Sequence, residues 1–509
     1  MPFILAFIPI LLILFLMVGL RWGAARAGGA GYLSALAIAV LSFGAGPQLL
    51  AFAHAKALLL SLDVLMIIWA AFLLYRVADE AGAIRTIGKS LPRLTPDRGM
   101  QALIIGWVFA SFLQGVGGFG VPVAVIAPIL VGLGFSPLAA VIIPSIGHGW
   151  AVTFGSLGSS FQALMAATGL PGEALAPLSA LFLSISGLLV GFLVAHAVGE
   201  WSAVRRLLAP VVILGVAMGA VQYLAAVSGL WNIAAFSAGV VGLVIAFPLA
   251  ARFRGERADV DDFSLRALGI ALSGYAVLIV IILGVQFIIP LRSFLSQVVI
   301  ALQFPEMSTA NGFVTPAGPG RNIPVFRHAG ALLAYASIIA YFIYQREGLY
   351  QPGAVGRILS GTVRRVMSSS VSIASMVAMA VIMENVGMTD TLARGLAQGI
   401  SVAFPLVAPW IGALGAFMTG SNTNSNVVFG ALQMRTAEML GYRVALILAG
   451  QTAGAALASV MAPTKIVVGA STAGMAGREG EVMRKLVVYT GILVLLVSVM
   501  TVLGAWLHL

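Results

Sequence analysis

Twelve stretches of this chain are each long and apolar enough to cross a lipid bilayer, and that leaves few folds open. A span needs about 17 to 25 apolar residues. Runs of this kind lie near 3–20, 28–46, 56–75, 137–168, 174–198, 207–229, 231–251, 267–289, 330–344, 368–386, 442–470 and 486–507. Hydrocarbon offers backbone N–H and C=O groups no partner, so spans of this length close their own hydrogen bonds as helices. Only 9% of the 509 residues are charged and mean hydropathy is +1.05, where a soluble domain carries about a quarter charged residues. An all-α polytopic membrane protein is expected.

The net charge of +11 would point to nucleic acid in a soluble chain. Here the basic residues sit in short loops: Arg21 and Arg26, Arg76 through Arg98, Arg205 and Arg206, Arg252 through Arg257, Arg346 through Arg365, and Arg478 through Lys485. That pattern reports topology, so the expected surroundings are the lipid bilayer, with no nucleic acid. With the amino terminus outside, every one of these loops is cytoplasmic and both termini are outside. The start, 1–20, lacks a basic leading segment and reads as a retained first span. The absence of cysteine excludes disulfides, thiolate nucleophiles and Cys-ligated metal; no cofactor or metal is expected. The acidic run 259–262 beside Arg254 and Arg257 reads as a solvated loop.

Two pieces, 101–134 and 407–440, remain between the spans. Each is a helix, an interruption and a second helix. In the latter the interruption is Gly420-Ser421-Asn422-Thr423-Asn424-Ser425-Asn426, polar and uncharged among Leu, Val, Ala and Phe. Irregular polar backbone at membrane depth is tolerated only where protein buries it or a wet cavity is lined by it, so both pieces are expected to be re-entrant hairpins. An offset of 305 residues carries Gly420 back to Gly115, in the run Gly115-Val116-Gly117-Gly118-Phe119-Gly120-Val121. The same offset pairs Asp79 with Glu384, Gly82 with Gly387, Thr86 with Thr391, Lys89 with Arg394, Phe112 with Phe417, Ile142 with Ile447 and Gly149 with Gly454. Loop charge puts the first hairpin in from the cytoplasm and the second in from outside. Inverted repeats follow, and paired interruptions in two halves mark a transporter's binding site.

Each hairpin precedes a span with its own break, at 155–160 and at 461–465, where Pro463 removes a helix donor. The expected organisation is therefore N-terminal spans at 1–50, a first repeat at 51–200 with hairpin 101–134 and broken helix 137–168, and linking spans at 201–355. A second repeat follows at 356–509 with hairpin 407–440 and broken helix 442–470. The polar loop 290–329 is expected outside as a cap or surface piece.

Two tips facing two breaks would form a midplane cage for a small anion, since broken helices expose N-termini whose N–H groups and partial positive charge suit a carboxylate. The candidate substrate residues are Gly115, Gly117, Gly118, Phe119 and Gly120 of the first tip and Ser159 after the first break. The second half adds Ser421, Asn422, Thr423, Asn424 and Asn426 of the tip with Thr464 and Lys465 of the break. Glycine lets backbone approach a ligand closely, although small residues equally serve helix packing. The G-x-G-x-x-G spacing of Gly115, Gly117 and Gly120 has no strand before it and carries no dinucleotide meaning. Ionisable residues inside spans are functional candidates by default. Asp63 shares a span with His54 and Lys56, and is a candidate proton carrier or the partner of Lys56 in a structural ion pair. His148, whose ring type titrates near neutrality, stands before the first break as the second candidate. His196 and Glu384 lie near span ends and read as interfacial.

The runs Gln114 to Pro122 and Pro144 to Trp150, with the segment from Thr419 to Asn426, resemble the bacterial L-lactate permease family across nearly the whole chain. The resemblance implies proton-coupled import of L-lactate, and of D-lactate and glycolate, across the bacterial inner membrane. Ser421-Asn422-Thr423 is also similar to the hairpin-tip motif of dicarboxylate/sodium symporters of the broader ion-transporter superfamily. That implies an elevator-type transporter with a fixed scaffold, and with it a homodimer. The first tip has Val116-Gly117-Gly118 in place of Ser-Asn-Thr, which weakens the case for paired sodium sites and leaves sodium coupling as the alternative. A channel is a further alternative, separable by saturable concentrative uptake. An enzyme is not expected, since H-E-x-x-H, G-x-S-x-G and cysteine are all missing.

Overall fold

The computed structural model describes residues 2–20, 22–118, 120–253, 265–320 and 322–508. Phe119 of the first tip, Arg21, Arg254, Arg257 and the acidic run 259–262 lie outside the described residues.

The chain opens with α1 (Pro2–Leu14) and α2 (Ala24–Ser42), then a 34-residue α3 (Pro47–Glu80) and a short α4 (Ala83–Ser90). The first hairpin piece rises through α5 (Arg98–Gln101), a π-helical stretch Ala102–Phe109 and α6 (Ala110–Val116), and returns as α7 (Val121–Gly132). The broken span follows as α8 (Pro137–Gly149) and α9 (Gly155–Thr168). Linking helices are α10 (Gly172–Arg206), α11 (Leu208–Val227), α12 (Ala234–Ala251), α13 (Leu265–Phe287) and α14 (Ile289–Leu295), and, beyond a β-hairpin, α15 (Ala329–Arg346). Then come a 32-residue α16 (Ala354–Asn385), α17 (Met388–Ile400), the hairpin pair α18 (Phe404–Thr419) and α19 (Asn422–Leu440), and α20 (Val444–Ala458). The chain closes with α21 (Pro463–Thr472) and α22 (Glu479–Trp506).

Eleven helices among the described residues are long and apolar enough to cross a membrane; nine coincide with expected spans, whereas Arg98–Val116 and Met388–Thr419 run into the two pieces expected to be hairpins, and the expected spans 3–20, 137–168 and 330–344 are not among the eleven. One cause is the first break, which leaves α8 and α9 at 13 and 14 residues, each too short to cross alone. This is a multi-pass membrane protein, nearly all helical.

The exception is 290–329. Beside α14 it holds β1 (Val299–Ile300) paired with β6 (Ile323–Pro324), β2 (Gln303–Phe304) with β5 (Gly318–Pro319), and β3 (Met307–Ser308) with β4 (Val314–Thr315), all antiparallel. These nested ladders make one ragged hairpin, kept short because Pro319 and Pro324 cannot donate to a ladder. Its tip is tied down: Ala310 N–H donates to the Gly44 carbonyl at 2.8 Å and Asn311 Nδ2 to that of Ser42 at 3.0 Å. The Thr315 hydroxyl donates to the Asn385 carbonyl at 2.9 Å. The hairpin thus straps the end of α2 to the end of α16.

Helices α3 and α16 lie side by side and antiparallel. Lys56 meets Glu384 at 3.5 Å, Trp69 Nε1 donates to Ser370 Oγ at 3.0 Å, and Arg357 pairs with Glu80 at 2.6 Å, so ascending positions on one helix meet descending positions on the other. Half-exposed ion pairs contribute about 0–1 kcal/mol; the larger share comes from Val64, Ile68 and Phe72 of α3 and Val366, Ile373 and Met376 of α16, which are buried in one apolar cluster.

Lipid is as apolar as leucine, so close approach of backbones does much of the work of helix association. A Cβ on Gly147 of α8 would strike the Gly106 carbonyl in the π-helical stretch, and one on Gly454 of α20 would strike the Pro409 carbonyl of α18. Each hairpin limb is thereby seated backbone to backbone on its broken helix. Gly147→Val should lower stability by more than the usual 1–3 kcal/mol, roughly, of an overpacked core, because rigid backbone cannot yield. The unfolding midpoint in detergent should fall, whereas Gly480→Val, which meets open space, should leave it unchanged.

Candidate functional site

Both breaks are built from strained or capped backbone. In the first, Ser156, Leu157 and Gly158 are all left-handed, with φ of 46°, 56° and 80°. Such a conformation costs about 1–3 kcal/mol for each non-glycine residue and persists only where the surroundings hold it. The first tip does so: Gly118, itself at φ 55°, sits against Ser156 Oγ so closely that a Cβ would overlap the hydroxyl. In the second half a 3-10 turn (Ser459–Met461) leads to extended Ala462, and Pro463 opens α21 with its φ already set for a helix. Gly420, at φ 70°, ends α18, and the Ser421 hydroxyl caps α19 by accepting from Asn424 N–H at 3.2 Å.

These features converge on a cavity of about 320 Å³. Four helices begin at its wall: α2 at Gly23 and Ala24, α7 at Gly120, α19 at Gly420 and Ser421, and α21 at Thr464 and Lys465. The remaining wall is α16, which presents Arg365, Ser368, Ser369 and Ser372. Among the described residues no acidic side chain lines it. Lys465 is 8% exposed, and its ammonium donates to Ser459 Oγ at 3.0 Å. Among the described residues no carboxylate forms an ion pair with it. Helix N-termini carry unpaired N–H groups and about half a positive charge each, so the cavity is electropositive on several walls and rich in hydroxyls. It can hold an anion bearing a hydroxyl group.

Of the residues singled out from sequence, Gly120, Ser421, Asn424, Thr464 and Lys465 face this cavity. Others hold its frame. Asn422 Nδ2 donates to Thr153 Oγ1 at 3.0 Å, the Thr423 hydroxyl meets Ser160 Oγ at 3.0 Å, and Asn426 Nδ2 donates to the Ser160 carbonyl at 3.0 Å and to Thr452 Oγ1 at 2.9 Å. These bonds stitch α19 to α9 and α20. Gly115 abuts the backbone of Phe236, Gly117 lies under the Tyr75 ring, and Ser159 is buried just past the left-handed run.

The two titratable candidates lie elsewhere. His148 is fully buried at the end of α8, with Nδ1 2.6 Å from the Pro144 carbonyl. Asp63 is buried on α3 and accepts from Gln162 Nε2 at 2.8 Å, with His328 Nε2 at 3.0 Å. Lys56, weighed above as its partner, pairs with Glu384 instead. Asp63, Gln162 and His328 border a second cavity of about 270 Å³, beneath the base of the β-hairpin, with Asn232, Gln286 and Arg327. His196 reaches the Tyr489 hydroxyl at 3.1 Å.

Sequence reasoning missed His328, Arg365 and the serines of α16. His328 follows the longest polar loop and reads as surface. For α16 a signal existed: Ser368, Ser369, Ser370 and Ser372 crowd one turn and a half of an apolar span.

A family profile described as L-lactate permease matches residues 2–508. The chain is 28% identical to the glycolate permease GlcA of Escherichia coli (strain K12), over 99% of this chain and 95% of that protein. It is 27% identical to the L-lactate permease of Bacillus subtilis (strain 168), over 84% of this chain and 82% of that protein. The solved structure of Neisseria gonorrhoeae MtrF, from a class of antimetabolite efflux pumps, aligns with a TM-score of 0.49 at 12% identity, over 86% of this chain and 81% of that one. That likeness is too loose to bear on function. The profile match runs almost from end to end, and the chain belongs to the L-lactate permease family.

Proposed function

We propose that this chain is a secondary active transporter that imports L-lactate and related small 2-hydroxymonocarboxylates, D-lactate and glycolate among them, by proton symport across a bacterial inner membrane. The observation that carries this reading is the cavity where four helix N-termini and the buried Lys465 meet, with no acidic side chain among the described residues that line it. The substrate carboxylate takes Lys465, Thr464 and the amide at Gly120. The 2-hydroxyl faces Asn424 and the serines of α16. The relatives' names supply lactate and glycolate, which share that carboxylate and hydroxyl. Asp63 and His148 are the candidates for carrying the proton.

Alternating access moves the two hairpins and broken helices past α3, α15 and α16, in an inverted-repeat, elevator-type arrangement. Supporting this, α3, α4, α8 and α9 recur as α16, α17, α20 and α21, each starting within three residues of the 305-residue offset. Gly82 and Gly387, left-handed at φ 73° and 82°, open α4 and α17 alike. The antiparallel run of α3 against α16 is what inversion requires. The basic ends of these helices then face the cytoplasm and both termini face outside.

Uptake of labelled L-lactate into proteoliposomes under an imposed pH gradient, without and then with sodium, tests the reading. Concentrative uptake driven by the pH gradient alone is expected. A second reading, sodium coupling, draws on the buried Oδ1 atoms of Asn422 and Asn426, which have no hydrogen-bond partner among the described residues and lie near the Thr153 and Thr452 hydroxyls. Uptake that requires sodium would favour it, and uptake under neither gradient would reject both.

A further inference from the structure

We propose that His148 is the group that binds the coupled proton, and that its protonation is linked to substrate binding through the charge on Lys465. This deepens the transport reading above and rests on it.

The tautomer of His148 is fixed by its neighbour. A carbonyl can only accept, so the Pro144 oxygen at 2.6 Å places the ring hydrogen on Nδ1 and leaves the lone pair on Nε2. Nε2 is buried and has no hydrogen-bond partner among the described residues. A buried acceptor left unpaired is a standing penalty, and one that a proton would convert into a donor. Its position is mechanical as well as chemical: His148 occupies the last turn of α8, directly before the break that the first tip holds.

The charges around it are few. Among the elements packed on α8, the π-helical stretch, α6, α7 and α20 carry no ionisable side chain, and the 3-10 turn offers Ser459. On α10 the ionisable groups are Glu173 at one end and His196, Glu200, Arg205 and Arg206 toward the other. On α22 they are Glu479, Glu481, Arg484, Lys485 and Tyr489, all in its first three turns. The last element packed on α8 is α21, whose single ionisable side chain is Lys465. The contact path is short: Gly149 lies against Val460, and the neighbouring Ser459 accepts from the Lys465 ammonium.

The coupling then follows from electrostatics. In the empty carrier the Lys465 ammonium opposes a second positive charge on His148. A substrate carboxylate on Lys465 cancels that opposition, and a proton from water adds to the Nε2 lone pair. Linkage is reciprocal, so a bound proton strengthens anion binding by the same factor. The pair enters as one carboxylate and one proton, with no net charge moved.

Asp63 is differently placed. It lies on α3, borders the second cavity, and is already engaged by Gln162 and His328. That geometry suits a contact between α3 and α9.

The test uses purified full-length protein and L-lactate in detergent across pH. Wild type should lose about tenfold in apparent affinity per pH unit on the alkaline side, and should take up about one proton per lactate from weakly buffered solution. His148→Gln should bind with a flat pH profile and without proton uptake, and should exchange labelled lactate yet fail to accumulate it under a pH gradient. Lys465→Met should weaken the link between the two ligands even where binding at high lactate persists. Should His148→Gln fail to fold, the wild-type proton measurement still decides: lactate binding without proton uptake overturns the proposal. An unchanged pH slope in His148→Gln, or loss of the slope in Asp63→Asn instead, overturns it as well. Failure of wild type to bind lactate at any pH is a separate result, which removes the transport reading and this inference with it.

Discussion

Lys465→Met should weaken L-lactate binding about 10- to 100-fold, while Lys465→Arg should keep much of the affinity. A hydrogen bond to a charged group contributes about 1.5–3 kcal/mol, and each 1.4 kcal/mol is about tenfold in affinity. Methionine preserves the unbranched stem that runs beside Gly120 and removes only the ammonium. The loss should hardly depend on ionic strength, because the group is buried and salt screens exposed charges far more than buried ones. Equilibrium binding in detergent, at low and at high salt, measures both. Unchanged affinity would reduce Lys465 to a donor that merely ties α21 to Ser459, and the cavity would lose the buried cation assigned to the carboxylate.

The legible part of this site is the part made by interruptions. A proline at 463, a glycine cluster at 115–120 and an Asn/Ser/Thr run at 420–426 each stand out against apolar sequence. Lipid permits such residues only where the chain is folded back on protein. Hence Gly120, Ser421, Asn424, Thr464 and Lys465 were within reach, and the constant offset suggested which breaks belong together. What stayed hidden depends on how separate helices are rotated against each other. Arg365 and the serines of α16 face the cavity only because α16 turns that side toward α19, where Ser372 accepts from Asn424 Nδ2 at 3.0 Å. His328 and Asp63 are 265 residues apart, and no local pattern joins them. The left-handed Ser156 and Leu157 are equally silent in sequence, since neither residue type favours that conformation and the strain is held by a hairpin forty residues upstream.

Joining α16 to α19 covalently should stop transport altogether. Ala380 of α16 and Ala431 of α19 border the same small cleft, with Val377 and Val427 beside them. The chain has no cysteine, so Ala380→Cys with Ala431→Cys offers a short bifunctional thiol reagent a single pair of targets. Uptake should be lost on cross-linking with a reagent that contains a disulfide, and should return when dithiothreitol cleaves it. Each single-cysteine variant, treated alike, should keep its uptake. The same linkage between α18 and α20 should leave uptake intact, because those helices are seated backbone to backbone at Pro409 and Gly454 and would travel together in the proposed elevator cycle. Full transport with α16 fixed to α19 would reject any cycle in which the hairpins slide past α3 and α16. The cavity would then have to open by local movement of a tip alone, and Gly120 and Gly420, left-handed at φ 84° and 70°, would be the positions left to supply it.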